Sequence, residues 1–81
     1  MTKNDINIGL AAIITTVAEI SPAPSGIMYA GLMSKGYSLN DYTALIGLLS
    51  QAGLVTATAE TVSITDDGRE LAEKINAYHR S

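Results

Sequence analysis

The sequence predicts a small α+β protein that is mainly helical. Apolar residues recur at helical spacing in four segments, which Pro or Gly residues separate from one another. Between residues 54 and 65, two runs rich in β-branched residues predict a hairpin. A chain of 81 residues supports one hydrophobic core, so we expect a single domain over residues 1–81.

The first helix is predicted over residues 6–20, with Asn4 or Asp5 as its N-cap. Its apolar stripe contains Ile13 and Val17, but the opposite side carries no charge from residue 6 to residue 18. A lone surface helix normally shows a polar face, so we expect this side to contact a partner protein or a second copy of the chain. The expected interface consists of Ile8, Ala11, Ala12, Thr15 and Ala18.

The second helix follows a segment that Pro22 and Pro24 hold extended. Ser25 is its predicted N-cap, and Gly36 occupies the place of a left-handed C-terminal residue. Along this helix the residues Met28, Tyr29 and Met33 are expected to fill the core.

The third helix is predicted from Leu39 to Ala52, with Ser38 as N-cap and Asp41 completing a capping box. One half of its helical wheel is apolar and is expected to face the core: Leu39, Tyr42, Leu45, Ile46, Leu48, Leu49 and Ala52. The other half is small or polar: Asn40, Asp41, Thr43, Ala44, Gly47, Ser50 and Gln51. That half is either a recognition surface or only a solvated face.

A hairpin of residues 54–58 and 61–65 is predicted next, although residues 59 and 60, Ala-Glu, make a poor two-residue turn. The fourth helix is predicted to begin after Thr65 as N-cap, with Asp66 and Asp67 in its first turn. Its apolar residues Leu71, Ile75 and Tyr78 repeat at helical spacing.

The composition favours a binding protein over an enzyme. The chain has no Cys and one His, and its paired acids at the start of the fourth helix have an ordinary role in capping. We therefore expect no catalytic residues, no metal site and no cofactor. The N-terminus lacks the pattern of a secretory signal and no segment is apolar enough to span a membrane, so a cytoplasmic protein is expected.

The order helix, helix, short turn, helix, hairpin, helix is that of a winged helix-turn-helix domain with three helices, a two-stranded wing and a C-terminal helix. Residues 53–55, Gly-Leu-Val, and residues 62–71, Val-Ser-Ile-Thr-Asp-Asp-Gly-Arg-Glu-Leu, resemble the wing region of MarR-type and PadR-type bacterial regulators. In those proteins Gly-Leu-Val closes the recognition helix, and Val-x-Leu-Thr-x-x-Gly-x-x-Leu leads out of the wing. The detailed likeness covers about two dozen residues.

The resemblance implies a transcriptional regulator that binds duplex DNA as a homodimer, with the third helix in the major groove and the hairpin tip near the minor groove. Asn and Gln side chains can bind the edges of adenine bases, and small residues allow the helix to approach the groove closely. The implied DNA-binding residues are Lys35, Ser38, Asn40, Thr43, Ala44, Gly47, Ser50, Gln51 and Arg69.

The charge pattern departs from that of such regulators. The net charge is -3, and between residues 20 and 59 the only charged side chains are Lys35 and Asp41. Glu60 stands at the wing tip, where these regulators usually present Arg. Since few cations are available to displace counterions from phosphate, an alternative hypothesis stays open: a winged-helix module that binds a protein partner and no DNA.

Overall fold

The computed structural model describes residues 2–80, with side chains described up to residue 78. The elements are α1 (Lys3–Glu19), β1 (Ala23–Pro24), α2 (Ser25–Met33), α3 (Leu39–Gln51), β2 (Val55–Ala57), β3 (Thr61–Ile64) and α4 (Asp66–Arg80). Four helices and one three-stranded antiparallel sheet thus make up the described residues. The mainly helical α+β class is confirmed.

Helix α1 lies at the centre of the fold and contacts α2, α3, α4 and β3. Its apolar stripe is fully buried at Ile13 and Val17. Gly9 is buried as well, because the side chains of Leu45 and Tyr37 lie directly against the helix at this point. A Cβ atom at Gly9 would lie 2.7 Å from Leu45 Cδ1, so the absence of a side chain allows α3 to approach α1 closely.

Two predicted helix starts are wrong, that of α1 by three residues and that of α2 by one. Helix α1 begins at Lys3 with Thr2 as N-cap, whose hydroxyl accepts a hydrogen bond from the Asp5 N–H at 3.1 Å. The Asp5 carboxylate accepts in return from the Thr2 N–H, and this bond holds the pKa of Asp5 below its ordinary value. In α2 the N-cap is Pro24, and Ser25 is the first helical residue.

Helices α2 and α3 both end at a glycine in the left-handed region, with φ 95° at Gly36 and 76° at Gly53. After α2 the Tyr37 N–H donates to the Leu32 carbonyl at 3.2 Å, and after α3 the Leu54 N–H donates to the Leu49 carbonyl at 2.9 Å. These are the bonds of a Schellman C-terminal motif. The C-terminal role predicted for Gly36 is confirmed.

The sheet contains one strand that the sequence did not predict. Its order is β1-β3-β2, with Ala23 opposite Val62 on one side of β3 and Val55 opposite Ile64 on the other. Strand β1 is only two residues long and contains Pro24, which has no N–H and is tolerated at a sheet edge. Nothing in its length or composition distinguishes it from an extended linker.

The hairpin loop has three residues, Thr58 to Glu60, and not the two that were predicted. The Thr58 hydroxyl accepts from the Thr61 N–H at 3.0 Å, and the Thr58 N–H donates to the Thr61 carbonyl at 2.8 Å. These bonds close the turn, which explains why a sequence without a glycine pair forms a hairpin here.

The end of α3 is joined to the start of α4 by a cluster of short contacts, which we call the α3–α4 junction. The Thr65 hydroxyl donates to the Gly53 carbonyl at 2.6 Å and accepts from the Gly68 N–H at 3.1 Å, so Thr65 is the N-cap of α4, as predicted. The Thr65 N–H donates to the Leu54 carbonyl at 3.2 Å. A Cβ atom at Gly68 would lie only 2.0 Å from that carbonyl oxygen. Only glycine fits at this position.

Two buried tyrosines differ in the hydrogen bonds of their hydroxyl groups. The Tyr37 hydroxyl donates to the Asp5 carbonyl at 2.5 Å and ties the α2–α3 turn to α1. The Tyr42 hydroxyl makes no hydrogen bond of normal geometry with the described residues. Burial raises the pKa of Tyr42, and the Ser25 side chain offsets part of this rise. The ring of Tyr42 packs against that of Tyr29, with centroids 5.8 Å apart.

The first prediction concerns the α3–α4 junction. We expect Gly68→Ala to lower the free energy of unfolding by at least about 2 kcal/mol, because the added methyl group meets a backbone oxygen that cannot move freely. Gly47→Ala is the matched control, since a Cβ there meets no atom within 4 Å. It should raise stability by about 0.5–1 kcal/mol through better helix propensity. Urea unfolding followed by circular dichroism measures both; equal effects of the two substitutions would contradict the prediction.

The second prediction compares the two tyrosines. Tyr37→Phe should lower the free energy of unfolding by about 1 kcal/mol, because the Asp5 carbonyl loses its donor. Tyr42→Phe should leave stability unchanged or raise it slightly, because it removes a buried hydroxyl that makes no hydrogen bond of normal geometry with the described residues. The same urea titrations test the pair, and a larger loss for Tyr42→Phe than for Tyr37→Phe would show the assignment to be wrong.

Candidate functional site

The structure holds α3 rigidly with one face outward. At its start, the Ser38 hydroxyl accepts from the Asp41 N–H at 3.1 Å and the Asp41 carboxylate accepts from the Ser38 N–H at 3.0 Å, so the predicted capping box is confirmed. At its end the helix is closed by Gly53. Between them Leu45 and Leu49 are buried in the core. Orientation of the outward face is therefore set by packing on the inner side and by caps at both ends.

The outward side of α3 is a continuous neutral strip, which we call the α3 face. All six of the residues that the resemblance places in the major groove are exposed on it: Asn40, Thr43, Ala44, Gly47, Ser50 and Gln51. The Thr43 hydroxyl is turned back to donate to the Leu39 carbonyl at 2.9 Å. Small residues lie at the middle of the strip, and the two amide side chains lie near its ends.

Two leucines of α3 are exposed beside this strip, contrary to the prediction that they face the core. Leu39 is 56% exposed and Leu48 is 48% exposed. Leu39 is the first residue of the helix, and Leu48 lies at the edge of the apolar arc, so neither reaches the interior. Met33, in the last turn of α2, is also exposed at 54%, and only Met28 and Tyr29 of that predicted core set pack inward. The α3 face therefore has apolar margins.

The three other predicted DNA contacts are not gathered on the α3 face. Ser38 is occupied as the N-cap of α3. Lys35 lines two hollows whose other walls come from α1, α2 and α4. The Arg69 guanidinium donates to the Ala18 carbonyl at the end of α1, at 3.5 Å. Both cations among the predicted DNA contacts thus point towards α1, and the α3 face itself carries no cation.

The hairpin tip carries a negative charge. Glu60 is exposed in the loop, and its N–H and that of Thr61 lie against the Thr58 hydroxyl. Its carbonyl accepts from the Ser25 N–H at 2.8 Å, which links the hairpin to the start of α2. The position of the tip relative to α2 is therefore defined.

A second surface lies along α1 and includes the predicted interface. Ile8 is 49% exposed, whereas Ala11, Ala12, Thr15 and Ala18 are half-buried. Four of them, Ile8, Ala11, Ala12 and Thr15, form the floor of a groove between α2 on one side and α4 on the other, which we call the α1 groove. Ala18 does not line this groove, and its carbonyl accepts from Arg69.

The walls of the α1 groove contain residues that sequence reasoning missed. Ile27 of α2 is 60% exposed, Gly31 lines the same hollow, and Ile75 and Tyr78 of α4 line the other side. Tyr78 is 80% exposed although its spacing places it with the apolar stripe of α4. No local signal marks these residues, because the walls come from helices distant in sequence that only the fold brings beside α1.

Among the described residues, no helix is long and apolar enough to cross a membrane. Within the same residues, no three His, Cys, Asp or Glu side chains cluster closely enough to hold a metal ion. No protein-family model, curated protein or solved structure matches the chain. The candidate surfaces are therefore defined by their own geometry alone.

The third prediction tests how much the N-cap of α3 stabilises the helix that carries the α3 face. Ser38→Ala should lower the free energy of unfolding by about 1 kcal/mol, because the Asp41 N–H loses its acceptor. Ser50→Ala on the exposed side of the same helix is the control and should change stability by less than about 0.5 kcal/mol. Thermal unfolding by circular dichroism measures both changes. An equal effect of the two would mean that the cap contributes little.

Proposed function

We propose that the chain is a winged-helix DNA-binding protein of the type found in MarR-type and PadR-type regulators, and that it controls transcription in the cytoplasm as a homodimer. The observation that carries this proposal is the α3 face: six small or neutral polar residues, all exposed, on a helix capped at both ends. In this proposal α2 and α3 form the helix-turn-helix, and β2 and β3 form the wing.

The α3 face has the chemistry of a helix that contacts base edges. Asn40 and Gln51 are the side chains that bind the N6 and N7 atoms of adenine in a bidentate way. They are eleven positions apart in the sequence, which corresponds to about 16 Å along the helix axis. Gly47 lies between them and lacks a side chain, so the backbone of α3 can approach the floor of the major groove.

In this proposal the affinity for DNA comes more from the binding of a dimer to two half-sites than from the attraction of positive side chains to phosphate. Each phosphate neutralised by Lys or Arg contributes to salt-dependent binding, and the α3 face has no such side chain. Arg69 is held to the end of α1, and Glu60 at the wing tip repels phosphate. A monomer would therefore bind weakly, whereas a dimer that engages two half-sites gains affinity without added cations.

The fourth prediction places a carboxylate at the centre of the α3 face. Gly47→Glu should weaken binding to a labelled random-sequence duplex at least about tenfold, because the new charge faces phosphate. The fold should tolerate it, since a side chain at Gly47 enters open space. Ala77→Glu on the exposed side of α4 changes the net charge equally and should have little effect. Fluorescence anisotropy at low salt measures both.

A further variant tests whether the lack of positive charge alone limits binding to duplex DNA. Glu60→Arg should strengthen duplex binding, because it reverses the charge at the wing tip. If neither the native chain nor Glu60→Arg binds duplex at low salt, the proposal fails.

A second candidate function is favoured by the exposed leucines. Leu39 and Leu48 border the α3 face, and an apolar margin around a neutral polar strip is suited to a protein surface. In this case the domain is a winged-helix interaction module that binds a partner protein through α3. In that case neither the native chain nor Gly47→Glu binds duplex. If the native chain binds duplex and Gly47→Glu abolishes that binding, this second candidate is wrong.

A further inference from the structure

The centre of the α3 face is a single row of residues without positive charge. Asn40, Ala44, Gly47 and Gln51 follow one another at intervals of four, three and four positions, so the helical repeat places them in one line along α3. All four are exposed, and α3 contains no Lys or Arg. The row therefore has an amide side chain at each end and two small residues between them.

An amide side chain distinguishes adenine from guanine in the major groove. With adenine, the amide oxygen accepts from N6 while the amide NH2 group donates to N7, so both groups are bonded. Guanine presents two acceptors, O6 and N7, and the amide oxygen then faces an acceptor. Guanine is bound best by Arg or Lys, which α3 lacks. The ends of the row therefore favour adenine.

The middle of the row fits the methyl group of thymine. Ala and Thr side chains make apolar contacts with this group. Ala44 provides a methyl group, and the space at Gly47 is open, since no atom lies within 4 Å of where its Cβ would be. The Thr43 hydroxyl already donates to the Leu39 carbonyl at 2.9 Å, so the methyl group of Thr43 is the part left for contact with a base.

We propose that α3 selects A·T base pairs over G·C base pairs, with Asn40 and Gln51 binding adenine and with Ala44 and Thr43 contacting thymine methyl groups. This inference deepens the proposed function and rests on it, because it requires α3 to lie in the major groove. The two amides are about 16 Å apart along the helix axis, whereas base pairs stack about 3.4 Å apart. They therefore reach different base pairs, and their contributions to selectivity add.

The fifth prediction is a preference of the native chain for A·T duplex, measured by fluorescence anisotropy at low salt with three labelled duplexes of equal length. The first contains A·T pairs in mixed order, the second contains G·C pairs, and the third is the second with inosine in place of guanine. We expect the A·T duplex to bind at least about twentyfold more tightly than the G·C duplex. All three carry the same number of phosphates, so counterion release does not distinguish them.

The inosine duplex separates readout in the two grooves. Inosine lacks the N2 amino group of guanine, so the minor groove of an I·C pair presents the pattern of A·T, while its major groove keeps the O6 and N7 acceptors. If α3 reads the major groove, the inosine duplex should bind as weakly as the G·C duplex. Uracil in place of thymine removes only the methyl groups of the A·T duplex and should weaken binding at least about threefold.

Variants of the two amides assign the preference to α3. Asn40→Ala and Gln51→Ala should each lower the ratio of A·T to G·C affinity about fivefold. Asn7→Ala is the matched control, because Asn7 is an exposed amide residue of α1, and it should leave the ratio unchanged. The ratio is the readout because a loss of folded protein weakens binding to both duplexes equally.

A gain of guanine binding tests the same position in the opposite direction. Gln51→Arg should shift the ratio towards the G·C duplex, because Arg donates to both O6 and N7 of guanine. Ala77→Arg adds the same charge at an exposed position of α4 and should leave the ratio unchanged.

Four results would overturn the inference. Equal binding of the A·T and G·C duplexes would leave DNA binding intact but show that α3 selects neither base pair. An inosine duplex that binds as tightly as the A·T duplex would place the discrimination in the minor groove. A ratio that both amide variants leave unchanged would assign it to other residues. Absence of binding to all three duplexes, by the native chain and by Glu60→Arg, would remove the proposed function and this inference with it.

Discussion

The α3–α4 junction is the constraint on which the positions of the other elements depend. Thr65 bonds to the Gly53 carbonyl, to the Leu54 carbonyl and to the Gly68 N–H, and Gly68 lies against the Leu54 carbonyl with no room for a side chain. One residue therefore links the segment after α3 to the base of the hairpin and starts α4. Because the hairpin lies between two helices that are joined in this way, its orientation relative to α3 is determined by backbone contacts and not by loop chemistry.

Helix α1 has a complementary role, because the three other helices and β3 all pack against it. Gly9 and Tyr37 bring α3 and the preceding turn onto one side of it, whereas α2 and α4 flank the opposite side. The result is a molecule with two surfaces of different character. The α3 face is convex, small and polar, and the α1 groove is concave and apolar. In the proposed function the first contacts DNA.

Much of the local structure could be predicted from the sequence, because its causes are local. Ser38 with Asp41, Thr65 before two acids, and Gly36 after an apolar stretch are each recognisable within a few residues. The α1 start was misplaced because three of the first five residues, Thr2, Asn4 and Asp5, are all acceptable caps. Strand β1 was missed because two residues without a distinctive pattern become a strand only when β3 lies beside them.

The sequence by itself determined the mainly helical α+β class, the number of helices and the neutral side of α3, since helical periodicity and capping depend on neighbours along the chain. Only the tertiary structure decided that Leu48 is exposed, that Lys35 and Arg69 point towards α1, and that α2 and α4 turn the interface patch of α1 into a groove. These properties depend on which helices lie side by side. The packing of the whole hydrophobic core determines that arrangement, and no single segment of the sequence specifies it.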